Sequence, residues 1–75
     1  PEQAAEMGIQ GKVIVRFVVE KDGSVTQATV VKGIDPALDK EALRVIQTMP
    51  KWKPGMQQGR AVRVRCTQPV QFKLQ

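Results

Sequence analysis

The sequence predicts an α+β domain in which two helices pack on one face of a three-stranded antiparallel sheet, with chain order α-β-β-α-β and sheet order 2-1-3. Three observations predict it. Two β-rich segments flank an Asp-Gly turn within residues 11–32, and an apolar stripe at helical spacing follows a proline near residue 35. Residues 60–74 then alternate between apolar and polar side chains. We expect one domain over residues 1–75, and because the chain begins at Pro1 without a methionine, we expect it to be a piece of a longer protein.

Residues 1–7 are predicted to form a short first helix. Proline suits the first helical position, Glu2 complements the positive end of the helix dipole, and Gly8 can adopt the left-handed conformation that ends a helix. So short a helix is marginal alone, so we expect packing to hold it in place.

Residues 11–20 and 24–32 are predicted to form an antiparallel hairpin. The first strand is apolar on both faces, which is typical of a central strand. Asp22 and Gly23 provide the strongest hairpin signal in the chain. The alternation of the second strand slips by one residue near Gln27 and Ala28, which predicts a bulge there.

Residues 35–49 are predicted to form the main helix. Asp35 is a suitable N-cap, Pro36 suits the first turn, and Pro50 ends the segment. Its apolar stripe consists of Leu38, Ala42, Val45, Ile46 and Met49.

A bent connector, PKWKPG at residues 50–55, follows the helix. Trp52 is the only tryptophan, and we expect its indole to cover the edge of the core. Together with Trp52, Pro54 and Gly55 are expected to shape the connector, and residues 56–59 are expected to form a loop.

Residues 60–74 are predicted to form one long strand, which we interpret as the functional site. Pro69 cannot donate to a ladder, so we expect this strand to lie at an edge of the sheet with its outer flank open to another chain. The residues expected to bind a partner are Arg63, Val64, Arg65, Cys66, Thr67, Gln68 and Val70, and the backbone ladder is expected from the first six of them.

The charge distribution raises nucleic-acid binding as an alternative. The net charge is +5, and all seven acidic residues lie at or before Glu41. However, Phe17 and Phe72 share faces with valine or leucine, so we expect them in the core rather than exposed for base stacking. We therefore expect no nucleic-acid partner, and we interpret the outward Arg63 and Arg65 as tuning the choice of a protein partner.

Catalysis is not expected. The chain has no histidine and a single cysteine, so it lacks the usual zinc ligands and an imidazole to activate a nucleophile. Cys66 lies on the apolar face of its strand and is interpreted as a buried small side chain. We therefore expect no enzyme activity, cofactor, metal or small-molecule substrate. No apolar run approaches the roughly 20 residues that cross a bilayer.

The ordered combination of these features resembles the C-terminal domain of TonB-family proteins. The resemblance covers essentially the whole chain: PEQAAEMGIQG, the hairpin GKVIVRFVVEKDGSVTQATVVKG, the helix of residues 35–49, PKWKPG and the last strand.

The resemblance implies a periplasmic domain of an inner-membrane-anchored energy transducer in a diderm bacterium. Such domains capture the TonB box of outer-membrane transporters as an added strand, and transmit proton-motive energy through ExbB and ExbD, which contact the N-terminal part of the protein. Carried over, the docking edge is approximately residues 63–70. Because some family members are fused to other modules, an interaction or sensory module of a larger membrane protein is the alternative.

Overall fold

The computed structural model describes residues 11–50 and 52–73. Their elements are β1 (Gly11–Val19), β2 (Val25–Lys32), α1 (Pro36–Thr48), β3 (Gly55–Gln57), β4 (Arg60–Val62) and β5 (Val64–Phe72). One antiparallel sheet has the order β2-β1-β5, and β3 and β4 form a separate two-stranded sheet.

The predicted fold class is therefore wrong. The described residues contain one helix and five strands in two sheets, rather than two helices on a single three-stranded sheet. The predicted first helix, residues 1–7, lies outside the described residues. The predicted continuous strand of residues 60–74 is interrupted at Arg63, which separates β4 from β5.

The expected loop of residues 56–59 belongs instead to the β3–β4 hairpin. Gln57 pairs with Arg60, and the two residues between them, Gln58 and Gly59, have φ values of 51° and 76°. Two successive positive φ values match the twist of a tight hairpin. Glutamine adopts this conformation uncommonly, so the residue types offered no hairpin signal.

The core lies between α1 and one face of β1. Its side chains, all at most 2% exposed, are Val13, Val15, Phe17, Val19, Leu38, Ala42 and Ile46. Burying a side chain of this kind stabilises the fold by roughly 1.5–3 kcal/mol. Met49, which was expected in the apolar stripe, is 45% exposed because α1 ends at Thr48 and Met49 is extended.

The start of α1 confirms its predicted cap. Asp35 accepts hydrogen bonds from the backbone N–H of Ala37 at 3.0 Å and of Leu38 at 3.4 Å, and Pro36 occupies the first helical position. These bonds satisfy two of the N–H groups that a helix start leaves without partners.

The connector after α1 closes one end of the core. The centroids of the Trp52 and Phe17 rings lie 5.0 Å apart. The backbone N–H of Trp52 donates to the Gly23 carbonyl at 2.9 Å. A Cβ atom at Gly55 would lie 2.2 Å from Cγ2 of Val64, so glycine is needed where the chain crosses the base of β5. The connector therefore packs against both the core and the start of β5.

Candidate functional site: the outer edge of β5 and the adjoining sheet face

β5 is an edge strand that pairs with β1 without interruption. Its nine residues pair in a continuous register, from Val19 with Val64 to Gly11 with Phe72. Within residues 11–50 and 52–73, no strand pairs with the opposite flank of β5. That flank, here called the outer edge, therefore presents backbone groups to the solvent.

Pro69 identifies which backbone groups point outward. It pairs with Ile14 inside the continuous register, although it has no N–H to donate. An unbroken antiparallel ladder accommodates proline only where the backbone groups face away from the neighbouring strand. Because these groups alternate along a strand, the N–H and C=O groups of Arg65, Thr67 and Gln71 also face outward.

The outer edge is blunted at Pro69. The side-chain amide of Gln68 donates to the Pro69 carbonyl at 3.2 Å, so this carbonyl already has a donor. Pro69 itself contributes no N–H. The uninterrupted part of the outer edge therefore centres on Arg65 and Thr67, each of which presents both a donor and an acceptor.

The geometry divides six of the seven predicted partner-binding residues into two sets, and Arg63 is treated separately. Side chains of Arg65 and Thr67 are exposed, and their backbone groups face outward. The residues of the other set have half-buried side chains on the α1 side of the sheet, and by the same alternation their backbone groups face β1. They are Val64, Cys66, Gln68 and Val70.

Arg63 is held at the junction between β4 and β5 by Glu20. Its Nε donates to Glu20 Oε1 at 2.8 Å and its Nη2 to Oε2 at 3.2 Å, while the Thr26 hydroxyl donates to the same carboxylate at 2.5 Å. The hydrogen bonds from Arg63 and then from Thr26 lower the pKa of Glu20, and the carboxylate raises the pKa of Arg63. The Arg63 side chain is 53% exposed, so this pair orients the chain more than it stabilises it.

The sheet face opposite α1, here called the open face, carries Arg16 from β1 and Arg65 from β5. Neither arginine has an acidic partner within the described residues. Each acidic residue in the described part of the chain has a contact elsewhere: Glu20 with Arg63, Asp22 with Ser24, Asp35 with the start of α1, Asp39 with the Ile34 N–H, and Glu41 with Arg44. Among the residues that the structure describes, the open face therefore carries a positive charge.

The described residues of the site include no histidine, and their one cysteine is Cys66. In the described part of the chain, no group of three or more His, Cys, Asp or Glu side chains could hold a metal ion. Cys66 is half-buried rather than fully buried, and it packs against the core. No described helix has the length and apolar character needed to span a membrane. The arrangement favours binding through backbone groups and arginine side chains.

The sequence prediction did not include Arg16, or Gln27 of β2, which lines depressions on the open face together with Arg65. Arg16 is a charged residue in an otherwise apolar segment, at a position that alternation places on the exposed face. That position was a usable signal. The placement of Gln27 depends on a bulge whose geometry only the structure shows.

A family model described as Gram-negative bacterial TonB protein C-terminal matches residues 1–74. No curated protein matches the chain.

Proposed function

The chain belongs to the family of Gram-negative TonB C-terminal domains, and on that premise we propose that it captures a short extended segment of an outer-membrane transporter by adding it as a strand to the outer edge of β5. The family is one of transport and interaction domains rather than enzymes, and it belongs to diderm bacteria. Membership therefore supports a periplasmic location and a protein partner at the outer membrane.

The observation that carries the proposal is the regular outer edge of β5. An added strand needs a straight row of donors and acceptors at the spacing of a sheet. The continuous register of β5 with β1 keeps that row straight, and Pro69 places the backbone groups of Arg65 and Thr67 on the solvent side. The side chains supply a second contribution, since Arg65 attracts acidic partners.

The expected affinity is low. Two outward residues offer about four backbone hydrogen bonds, each contributing roughly 0.5–1.5 kcal/mol. The loss of translational freedom and the ordering of a flexible segment oppose this gain. A single segment should therefore bind with a Kd on the order of micromolar or weaker, which suits a partner that must be released.

The finer parts of the proposal concern the assembly. The captured segment is proposed to be the TonB box of a TonB-dependent transporter. The domain is proposed to be anchored to the inner membrane through a part of the protein outside this chain, where ExbB and ExbD supply proton-motive energy for uptake. No cofactor takes part in this scheme.

The proposal is tested by titrating the isotopically labelled domain with a transporter N-terminal peptide and following backbone amide resonances. The largest shifts are expected at Arg65 and Thr67, with smaller shifts in the rest of residues 63–70. A peptide of the same composition in scrambled order is the control. Shifts confined to residues 25–32, or none at saturating peptide, would refute capture at β5.

A further inference from the structure

Four exposed cations lie on the open face of the sheet: Lys12, Arg16, Lys32 and Arg65. On β1, Lys12 and Arg16 alternate with the buried valines of the core. Lys32 of β2 pairs with Ile14 and Arg65 of β5 pairs with Val18, and directly paired residues share a face. None of the four cations has an acidic partner within residues 11–50 and 52–73. The positive charge is therefore spread over all three strands.

The four cations are spaced too widely for one small anion to neutralise them. Residues four apart on a strand, as Lys12 and Arg16 are, lie about 13 Å apart, and diagonal neighbours such as Arg16 and Arg65 lie about 7–8 Å apart. Side chains of a strand stand roughly perpendicular to the sheet, so the cations extend side by side. The one described helix, α1, packs on the opposite face. The open face therefore suits an extended anionic surface.

The relief of the open face is shallow and open to the solvent. Its two adjoining depressions have volumes of about 160 and 330 Å³, and they share Val18, Gln27 and Arg65. The smaller depression also contacts Arg16 and Thr29, so two guanidinium groups, an amide and a hydroxyl border it. Guanidinium groups bind phosphate oxygens through paired hydrogen bonds, and the amide and the hydroxyl are further donors. A phosphate group fits this set of donors.

Apolar side chains lie among the cations. Ile14 pairs with Pro69 between the positions of Lys12 and Arg16, and Ile14 is half-buried while Pro69 is exposed. Val31, which falls at the register shift beside Ile14, is 54% exposed. Protein surfaces that lie on membranes combine basic residues, which attract anionic lipids, with apolar side chains that enter the headgroup boundary. The open face offers both kinds of side chain.

The geometry of the sheet allows membrane contact and capture at the same time. Backbone N–H and C=O groups at the edge of a sheet point within its plane, at right angles to the side chains on its faces. A chain that lies on a membrane by its open face therefore keeps the outer edge of β5 accessible along the membrane surface. In this orientation α1 points away from the lipid.

We propose that the open face is a membrane-contacting surface, on which Lys12, Arg16, Lys32 and Arg65 bind the phosphate groups of anionic phospholipids. The choice of a lipid as the anion rests on the proposed function, because that function puts the chain beside a protein of the outer membrane. The charge of the face is independent of it. Contact with lipid keeps a domain that holds its partner weakly close to the membrane in which that partner lies.

The test measures co-sedimentation of the chain with vesicles of phosphatidylcholine and phosphatidylglycerol, and with vesicles of phosphatidylcholine alone. The variants are Lys12→Gln, Arg16→Gln and the two combined. The matched control is Lys40→Gln, which removes the same charge from an exposed position on α1. Urea midpoints of all variants should stay close to that of the wild type, because the substituted side chains are exposed. No peptide is present, so the result does not depend on capture at β5.

We expect the wild-type chain to bind vesicles that contain phosphatidylglycerol and not those of phosphatidylcholine alone. Each cation near an anionic lipid surface changes the partition coefficient about fivefold, so each single variant on β1 should lower it about fivefold and the double variant about 25-fold. Lys40→Gln should lower it less than about twofold, because a charge on the far side of the sheet is screened from the lipid. Higher salt should weaken binding for the same reason.

A second readout locates the face that touches the lipid. Bicelles of the same two lipids, doped with a paramagnetic lipid, broaden the amide resonances of nearby residues. We expect stronger broadening at Lys12, Arg16 and Thr29 than along residues 40–48 of α1. Stronger broadening along α1 would overturn the proposal, because the opposite side of the domain would then face the membrane.

The outcomes separate this proposal from the proposed function. Equal losses for Arg16→Gln and Lys40→Gln would show that only net charge matters, and would overturn the assignment of the open face. Binding to soluble polyglutamate that Arg16→Gln abolishes, without binding to vesicles, would assign the face to an acidic protein instead. If vesicles bind as expected but no transporter peptide shifts the amides of Arg65 and Thr67, capture at β5 fails and the membrane-contacting surface stands. If the peptide shifts appear and vesicles do not bind, the reverse holds.

Discussion

The two edges of the three-stranded sheet differ in regularity. β2 pairs with β1 through two register shifts, and Gln27 in β2 has a positive φ. β5 pairs with the same strand through nine residues without a shift. Bulges bend and twist an edge strand, which spoils it as a template, whereas a regular edge accepts another strand. Regularity of the backbone, rather than exposure alone, is therefore the reason for proposing β5 as the edge that captures a partner.

The accessible part of the β5 edge is also short. The β2 edge needs no such limit, because its bulges already prevent regular pairing. At its downstream end Pro69 lacks a donor and its carbonyl is occupied by Gln68. At its upstream end the ion pair between Arg63 and Glu20 marks the break from β4. A short template bounded at both ends binds a short guest weakly and discourages the extended pairing that leads to aggregation.

The largest expected effect comes from a cavity in the core beneath β1, the strand with which both edge strands pair. Ile46→Ala empties part of the fully buried core beneath β1, and we expect the free energy of unfolding to fall by about 2–5 kcal/mol. Urea denaturation measures this loss. Met49→Ala, at a side chain 45% exposed, is the matched control and should change stability by less than about 0.5 kcal/mol. Similar losses for both variants would contradict the described core.

Breaking the β5 edge alone should abolish capture while the fold remains. Thr67→Pro removes the outward N–H at the centre of the outer edge, and because this group does not pair with β1, the existing ladder should stay intact. We expect transporter-peptide affinity to fall about tenfold or more, since a guest carbonyl is left without a donor. Thr67→Ala keeps the backbone donor and should bind normally. A stability loss in Thr67→Pro as large as that of Ile46→Ala would show that this N–H faces β1.

Extending the β5 edge should have a smaller effect. Gln68→Ala removes the donor that occupies the Pro69 carbonyl, so one more acceptor becomes accessible to a guest. For a peptide long enough to reach it, we expect affinity to rise about twofold to fivefold, the value of one net hydrogen bond at the lower end of its range. A peptide that ends opposite Thr67 should show no gain. An equal gain for the short peptide would mean that Gln68 acts in another way.

The smallest expected effect is the pH dependence of the junction between β4 and β5. The Arg63 hydrogen bonds lower the pKa of Glu20 below the ordinary value of 4.5. The contribution of the ionised Glu20 carboxylate to stability is therefore fully present above pH 4.5, and it is lost as the pH falls through the lowered pKa of the folded state. Urea midpoints of the wild type and Glu20→Gln, measured against pH, should differ near neutrality and converge in acid. A difference that grows as the pH falls would have the wrong sign.

Local residue types determined several parts of this molecule before any tertiary contact is considered. Asp22 and Gly23 form the turn of the β1–β2 hairpin, and Asp35 and Pro36 begin α1, because each acts through its own backbone and near neighbours. The slipped alternation near Gln27 and Ala28 indicated a bulge in this strand without locating it, and the structure shows register shifts at two positions, between Ile14 and Val15 and between Arg16 and Val18. Apolar residues on both faces of residues 11–20 likewise indicated the central position that β1 occupies.

Tertiary structure alone decided how the last segment divides into strands. Its alternation continues through Arg63, so the pattern predicted a single strand where β4 and β5 are separate. The break coincides with a contact between Arg63 and a carboxylate 43 residues away, and with the close approach of Gly55 to Val64. Strand register likewise brings Arg16 beside Arg65 on the open face, which alternation by itself does not show. Periodicity reports which face a side chain occupies, but only pairing between distant strands determines which side chains become neighbours.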